Sequence, residues 1–273
     1  MCATDRFDPI VGNSEVIHDL RSFVLEMSSE KGPLLLTGPT GVGKRLAARK
    51  IHAAGGLPAA RLLFVSGQDF EIQDLYPTED QIPALVQMGT VYINSAQQID
   101  PQVAQQLKEL IQSDSSEIPR IILGVDVTDD GGLQLWTSTS PLSQLEFRGS
   151  FSIPALGERP EDISAIARYQ IWTSARPEDF ESRWMEFTRS KLGELLVRPW
   201  NGNVPELLEA VQSFCSREAA RSETALLGSM SESVSAHWLQ EQIDRMHENL
   251  LERWNFEDSL QSGGTADEQE TLR

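Results

Sequence analysis

Gly38-Pro39-Thr40-Gly41-Val42-Gly43-Lys44 is the stretch whose residue types and spacing speak most directly of chemistry. Glycines at this density let successive backbone N–H groups turn toward one anion, and a closing lysine brings a full positive charge to the outer phosphates of a nucleotide. A tight strand-to-helix turn without a ligand is the other use of such glycines. The next residue is Arg45, where loops of this kind commonly place a Ser or Thr hydroxyl on magnesium, so metal binding by the loop itself is expected to be weakened. Gly38, Pro39, Thr40, Gly41, Val42, Gly43 and Lys44, with Arg45 and Leu46 of the following turn, are the candidate ligand contacts. Cys2 and Cys215 form no CxxC pair, and His18, His52, His237 and His247 lack metal-ligand spacing, so the histidines read as surface or packing residues and the cysteines as unpaired thiols.

A phosphate loop has to sit between a buried strand and a helix. Pro33-Leu34-Leu35-Leu36-Thr37 precedes it as a short apolar run, and Arg45-Leu46-Ala47-Ala48-Arg49-Lys50-Ile51-His52 follows with helical spacing. Further strand-length apolar runs lie at 62–65, 90–93, 120–125 and 151–153, and helical spacing at 15–27, 84–88 and 102–112 alternates with them. Alternation of this kind predicts an α/β fold with a parallel sheet covered on both faces. Beyond Asp162 the strand signals stop while helical ones continue over 163–172, 183–192 and 204–220, which predicts a helical lid after the core. Asp129-Asp130-Gly131-Gly132 reads as a turn, and the end of the chain from Ser262 as a frayed tail.

Composition bounds the rest. The chain has 273 residues, 40% of them hydrophobic, enough for one good-sized core and a smaller satellite. With 23 Lys and Arg against 41 Asp and Glu, its formal charge is −18, which argues against a general affinity for nucleic acid and for a protein partner. No leader opens the chain and no apolar run nears the roughly 20 residues of a membrane span. The expectation is a cytoplasmic protein.

Four segments in order carry a resemblance to the central AAA+ domain of the sigma-54-dependent transcription activators, the bacterial enhancer-binding proteins. Ile10-Val11-Gly12-Asn13-Ser14 is similar to the family's entry motif beside the adenine, which adds Val11 to the candidate contacts. Gly89-Thr90 and its apolar strand resemble the approach to the second nucleotide motif. The segment from Ile153-Pro154-Ala155-Leu156 through Gly157-Glu158-Arg159-Pro160-Glu161-Asp162-Ile163 tracks the family's LPPLRERREDI, and Trp200-Asn201-Gly202-Asn203-Val204 tracks its WPGNVREL. The resemblance spans about residues 9–215. It implies an AAA+ P-loop three-layer core with a parallel five-stranded sheet over 1–163, a helical lid over 164–230, and an amphipathic helix with an acidic flexible tail over 231–273, where family members usually carry a helix-turn-helix. The ligand it implies is ATP or ADP, with Mg2+ a weakened candidate.

The departures from the family pattern fall on its catalytic positions. The acidic pair that follows Gly-Thr and its strand, one residue for magnesium and one to activate water, is replaced by Asn94 and Ser95. The asparagine that restrains the catalytic glutamate aligns with Ser66, and the sensor asparagine with Asp126, which would set a negative charge near the γ-phosphate unless a metal or a proton compensates. The neighbour-facing arginines fall near Thr139 and Leu145, with Arg148 the nearby arginine, and the lid's sensing arginine is Pro205. Between Phe70 and Gly89 the chain lacks the GAFTGA loop that engages sigma-54; Leu75-Tyr76-Pro77 reads there as a capped turn or a substitute contact. Leu239, Ile243, Met246, Leu250 and Trp254 share one helical face, to be covered by the lid or by a partner helix. The reading is an ATP/ADP-binding, hydrolysis-deficient regulatory protein acting through contacts with an active AAA+ relative or with itself. It binds neither DNA directly nor membrane. The alternative is a slow AAA+ ATPase that remodels a protein partner, with Asn94 placing the metal and another carboxylate, such as Asp126 or one donated by a neighbour, as the base.

Overall fold

The computed structural model describes residues 9–56, 61–72, 89–113, 119–127 and 132–225. Five strands, β1 Leu34–Gly38, β2 Leu62–Ser66, β3 Thr90–Asn94, β4 Arg120–Asp126 and β5 Gly149–Ser152, form one sheet in the order β2-β3-β4-β1-β5, every pairing parallel. The central strands are apolar runs buried on both faces, as a doubly covered parallel sheet requires. Side chains alternate between two cores. Val91, Ile93, Ile121, Leu123 and Val125 enter one with Leu107, Trp136 and Leu142; Leu34, Leu36, Tyr92, Ile122 and Ile153 enter the other with Ile17, Leu20, Ala47 and Ile51.

Helices α1 Glu15–Ser28 and α2 Lys44–Ala54 cover the second face, α3 Pro101–Gln112 and α4 Gly132–Thr139 the first. Helix α1 starts where the Ser14 hydroxyl accepts from the Ile17 N–H, and it buries Ile17, Leu20, Val24 and Met27 along one stripe. Helix α3 has Asp100 as its cap and Pro101 in its first turn. In α2 the fully buried Ala47 and Ala48 let the helix lie close against the strands.

The expected five-stranded parallel sheet is present, with small shifts. The last strand begins at Gly149, because its ladder with β1 starts at Leu34, and ends one residue before Ile153. Gly132, expected within a turn, opens α4 instead. The helical region comprises α5 Glu161–Ser174, α6 Phe180–Phe187, α7 Gly193–Leu196 and α8 Asn203–Ala225. The helix expected over 183–192 begins earlier and continues as a π-turn, Thr188–Leu192. Trp184, Phe187, Leu195, Trp200, Leu207 and Val211 are buried there, with the Phe187 and Phe214 rings edge-to-face at 5.2 Å. Residues 1–220 form one compact unit; of the second, 221–273, the described part is the end of α8. The expected helix over 84–88, the Leu75-Tyr76-Pro77 turn, the amphipathic segment Leu239 to Trp254 and the tail lie outside the described residues. Among those described, no helix is long and apolar enough to cross a membrane.

One buried ion pair fixes the approach to the loop. Arg159 and Asp162 are 3% and 0% exposed and lie 3.1 Å apart. Asp162 also accepts from the N–H groups of Asn13 and Ser14, at 2.6 and 2.7 Å, and from the Ser14 hydroxyl. Arg159 donates to the carbonyls of Pro154 and Val42. Burial pushes the Arg159 guanidinium down, and the Asp162 charge opposes that shift. At Gly12 a Cβ would stand 2.7 Å from an Asp162 carboxylate oxygen, so no larger residue fits without displacing the pair. Asp162→Ala, which strands a buried guanidinium, should cost about 3–5 kcal/mol and lower the melting temperature by roughly 10 °C, as thermal denaturation followed by circular dichroism will show.

Candidate nucleotide site

The loop between β1 and α2 stands beside the end of β4, because Gly38 pairs in register with Asp126. This is the carboxyl edge of a parallel sheet, where open α/β folds bind ligands. The Lys44 ammonium, 4% exposed, donates to the Gly38 carbonyl at 2.6 Å, the Pro39 carbonyl at 2.9 Å and Asp126 Oδ1 at 2.8 Å. Asp126 Oδ1 also receives the Thr40 hydroxyl at 3.2 Å; its Oδ2 receives the Ser95 hydroxyl at 2.6 Å and the Gln97 amide at 3.2 Å. Four donors on two oxygens fill the carboxylate's accepting capacity. Burial alone would push the Asp126 carboxyl up; the hydrogen bonds from Lys44, Ser95 and Gln97 and the Lys44 charge outweigh it and hold it below the ordinary aspartate value. For Lys44, burial outweighs its Asp126 partner and lowers the ammonium from its usual value.

Asp126, whose charge was expected to be unfavourable beside a γ-phosphate without a metal or a proton, is paired with Lys44 at 2.8 Å. The lysine expected at the outer phosphates is, in this arrangement, already paired.

Every carbonyl along the loop has a donor. Gly38 and Pro39 are held by Lys44, Thr40 by the Asn203 amide at 2.8 Å, Gly41 by the Val204 N–H at 3.2 Å, Val42 by Arg159 at 3.1 Å and Gly43 by the Ala47 N–H at 3.0 Å. The Asn203 carbonyl oxygen accepts in turn from the Leu156 N–H at 2.8 Å, so one buried side chain joins the loop, the core and the start of α8. Gly41 has φ +84°, and a Cβ there would meet the Gly202 carbonyl at 2.8 Å, so glycine is needed for both shape and space. Ala47 supplies the first N–H of α2 that bonds within the helix. The N–H groups of Lys44, Arg45 and Leu46 therefore lack intrahelical acceptors and present an anion-binding end.

The remaining sequence-derived positions divide. Asn94, at the end of β3, accepts from the Tyr92 hydroxyl at 3.1 Å and donates to Ser95, which joins it to the Asp126 network. Ser95 takes φ +52° at the turn after the strand. Ser66 pairs with Asn94 across the sheet. The Arg45 guanidinium lies over the Phe64 ring at 4.3 Å, so that residue contributes its backbone rather than its charge. Val11 is half-buried in a segment whose neighbouring carbonyls, Ile10 and Gly12, are gripped by Arg21. Leu145 is buried, and Thr139 ends α4 on the surface. Arg148 is exposed near Glu30 at 3.6 Å and precedes β5, at the end of the sheet opposite the loop. Pro205 stands in the first turn of α8, its ring beside Gly41, so the helix begins there as expected. Among the described residues no group of three His, Cys, Asp or Glu gathers to hold a metal. Gln97, Asn203, Arg159 and Asp162 were not among the expected contacts. The last three lie in the segments that carry the family resemblance, which was the available signal, whereas nothing around Gln97 marks it.

A glycine-rich loop at the carboxyl edge of a five-stranded parallel sheet, with a helical lid packed on it, gives the chain the AAA+ P-loop fold. The Sigma-54 interaction domain model matches residues 10–70 of the chain. The chain is 26% identical over 238 residues to the putative transcriptional regulatory protein y4pA of Sinorhizobium fredii, covering 78% of this chain and 38% of that one. It spans from 38% to 49% of the length of the curated relatives it matches. Among solved structures, NtrX from Brucella abortus in complex with ATP superposes with a TM-score of 0.60 at 18% identity, covering 96% of this chain and 65% of that one. The same protein in complex with ADP gives 0.57 at 20%, covering 76% and 50%. At these identities the structural likeness carries the fold.

Because the Asp126 carboxyl is held below its ordinary value, the stability it contributes is present in full above its unfolded value, about pH 4, and is lost as pH falls through the folded value. Asp126→Asn should cost about 1–3 kcal/mol at neutral pH, with the gap from the wild-type chain closing below about pH 4. Urea titrations across that range measure it.

Proposed function

We propose that this chain is a nucleotide receptor of the AAA+ class that hydrolyses poorly and acts through protein contacts in transcription regulation or assembly. The observation that carries the reading is Ser95. At the place where the resemblance implies a water-activating carboxylate, a hydroxyl donates its proton to Asp126. Phosphoryl transfer needs a positioned, activated nucleophile and compensating charge on the transferred group. A hydroxyl whose proton is already given to a carboxylate supplies neither. The receptor half rests on the loop, with Gly38, Pro39, Thr40, Gly41, Val42, Gly43 and Lys44 enclosing the phosphates and the first N–H groups of α2, at Lys44, Arg45 and Leu46, completing the cradle. Val11 would lie toward the base, and Asn94 and Asp126 toward the outermost phosphate. B. abortus NtrX, which shares the fold, is solved in complex with ATP and with ADP.

These residues fit a nucleotide better than a magnesium ion. Arg45 occupies the place of the metal-ligating hydroxyl and turns to Phe64, while the carboxylate at the loop, Asp126, has its oxygens engaged by four donors. Mg2+, if bound, would supply charge compensation to the phosphates, and Asn94 and Asp126 would be the residues to hold it. The competing reading is a slow ATPase with Asp126 as base. An aspartate held below its ordinary value and saturated with donors is a poor proton acceptor, which weighs against it. The partner we infer is a protein, either an active AAA+ relative or a second copy of this chain. The formal charge of −18 disfavours direct DNA contact.

A fluorescent ATP analogue should bind the wild-type chain and fail to bind Lys44→Ala, while phosphate release from ATP stays no faster than in that variant. Turnover abolished by both Lys44→Ala and Asp126→Ala would replace this reading with the slow ATPase.

A further inference from the structure

The charge arrangement at the loop bears on which nucleotide the site takes. A lysine ammonium has three N–H donors, and in Lys44 all three are used, two by neutral carbonyls and one by a carboxylate. A β-phosphate arriving at the loop N–H groups can displace the carbonyl bonds, exchanging neutral acceptors for an anionic one, while the bond to Asp126 stays. A γ-phosphoryl group adds a second anion at the same lysine, since in P-loop sites the lysine reaches the β- and γ-phosphates together. Here the anion already at that lysine is Asp126, with Ser95 and Asn94 hydrogen-bonded beside it.

Asp126 is poorly placed to move aside. Its backbone is fixed by the pairing of β4 with β1, where Gly38 opposes it, and by the Val127 N–H on the Gly38 carbonyl at 3.1 Å. Its side chain is tied from two further directions by Ser95 and Gln97, and its own N–H donates to the Gln97 amide oxygen at 3.2 Å. No other described cation is turned to the same spot to offset it. Arg45 is stacked on Phe64 and Arg159 is paired with Asp162. Within the cradle, Lys44 and Asp126 cancel, leaving the backbone dipoles to hold phosphate.

We propose that Asp126 stands in for the terminal phosphate as the anionic partner of Lys44, so that the site selects nucleoside diphosphates over triphosphates. A triphosphate has to set its outermost group against the carboxylate or break the 2.8 Å ion pair, and a diphosphate does neither. The selectivity rests on the receptor reading above, since it presupposes a nucleotide in the loop.

Calorimetric titration of ADP and of ATP into the full chain without divalent cations tests both. The wild type should bind ADP at least about tenfold more tightly than ATP. Asp126→Asn, which keeps the shape and removes the charge, should shrink that ratio to about threefold or less, chiefly by tightening ATP. If this variant does not fold by circular dichroism, Ser95→Ala serves instead; it loosens the carboxylate, and the ratio should fall in the same direction. Equal affinity for the two nucleotides in the wild type, or a ratio that neither substitution moves, overturns the selectivity and leaves the receptor reading standing. A wild-type preference for ATP that appears with Mg2+ and vanishes in Asp126→Asn makes the residue a metal ligand and likewise overturns the proposal. Binding of neither nucleotide to the wild type overturns the receptor reading itself.

Discussion

The loop end of this protein's sheet depends on one buried ion pair. Arg159 and Asp162 would be costly to bury alone, since desolvating two charges commonly offsets their attraction. The cost is met because each nitrogen and oxygen of the pair has a partner, with backbone groups of Asn13, Ser14, Val42 and Pro154 and the Ser14 hydroxyl beside the ion pair itself. A fully satisfied polar cluster of this kind fixes one arrangement of its neighbours. Three stretches far apart in sequence are thereby assigned a single mutual geometry, and Gly12 is the position where backbone passes close enough for it to close.

The substitutions at the site form a coherent set once Asp126 is taken as the fixed point. A carboxylate at position 95, within hydrogen-bond distance of Asp126, would force one of the two to stay protonated. A serine there relieves the conflict and turns repulsion into a 2.6 Å hydrogen bond. Gln97 donates to one carboxylate oxygen and accepts from the Asp126 N–H, which fixes the side chain relative to its own backbone. Tyr92, whose phenol is pushed up by burial and by the Asp126 charge, remains a donor and orients the Asn94 amide. A serine at 95 and an aspartate at 126 are two sides of the same electrostatic arrangement.

The sequence disclosed the frame more fully than the contacts. Strands buried on both faces read as uninterrupted apolar runs, and the glycine loop between a strand and an amphipathic helix is a local pattern, so β1 to β5 and the cradle were legible. Helix α4 was not, because Asp129-Asp130-Gly131-Gly132 carries strong turn chemistry and the helix opens on its last glycine. The π-turn after α6 is a small change of hydrogen-bond register that an apolar period does not report. Pairing of Lys44 with Asp126 is set by sheet order, which brings Gly38 opposite a residue far along the chain. The role of Asn203 depends on a bond to Thr40, 163 positions away. Composition and spacing hold no signal for either.

The bonded carbonyls of the loop have a geometric corollary. A trans peptide unit is planar, and its C=O and N–H point in opposite directions. Fixing the Thr40 and Gly41 carbonyls on Asn203 and Val204 therefore aims the N–H groups of Gly41 and Val42 away from α8, and fixing the Val42 carbonyl on Arg159 aims the Gly43 N–H away from that guanidinium. The first turn of the lid thus sets the direction of the donors without touching whatever they bind. Rotating that turn would swing the two peptide planes that carry the Gly41 and Val42 donors.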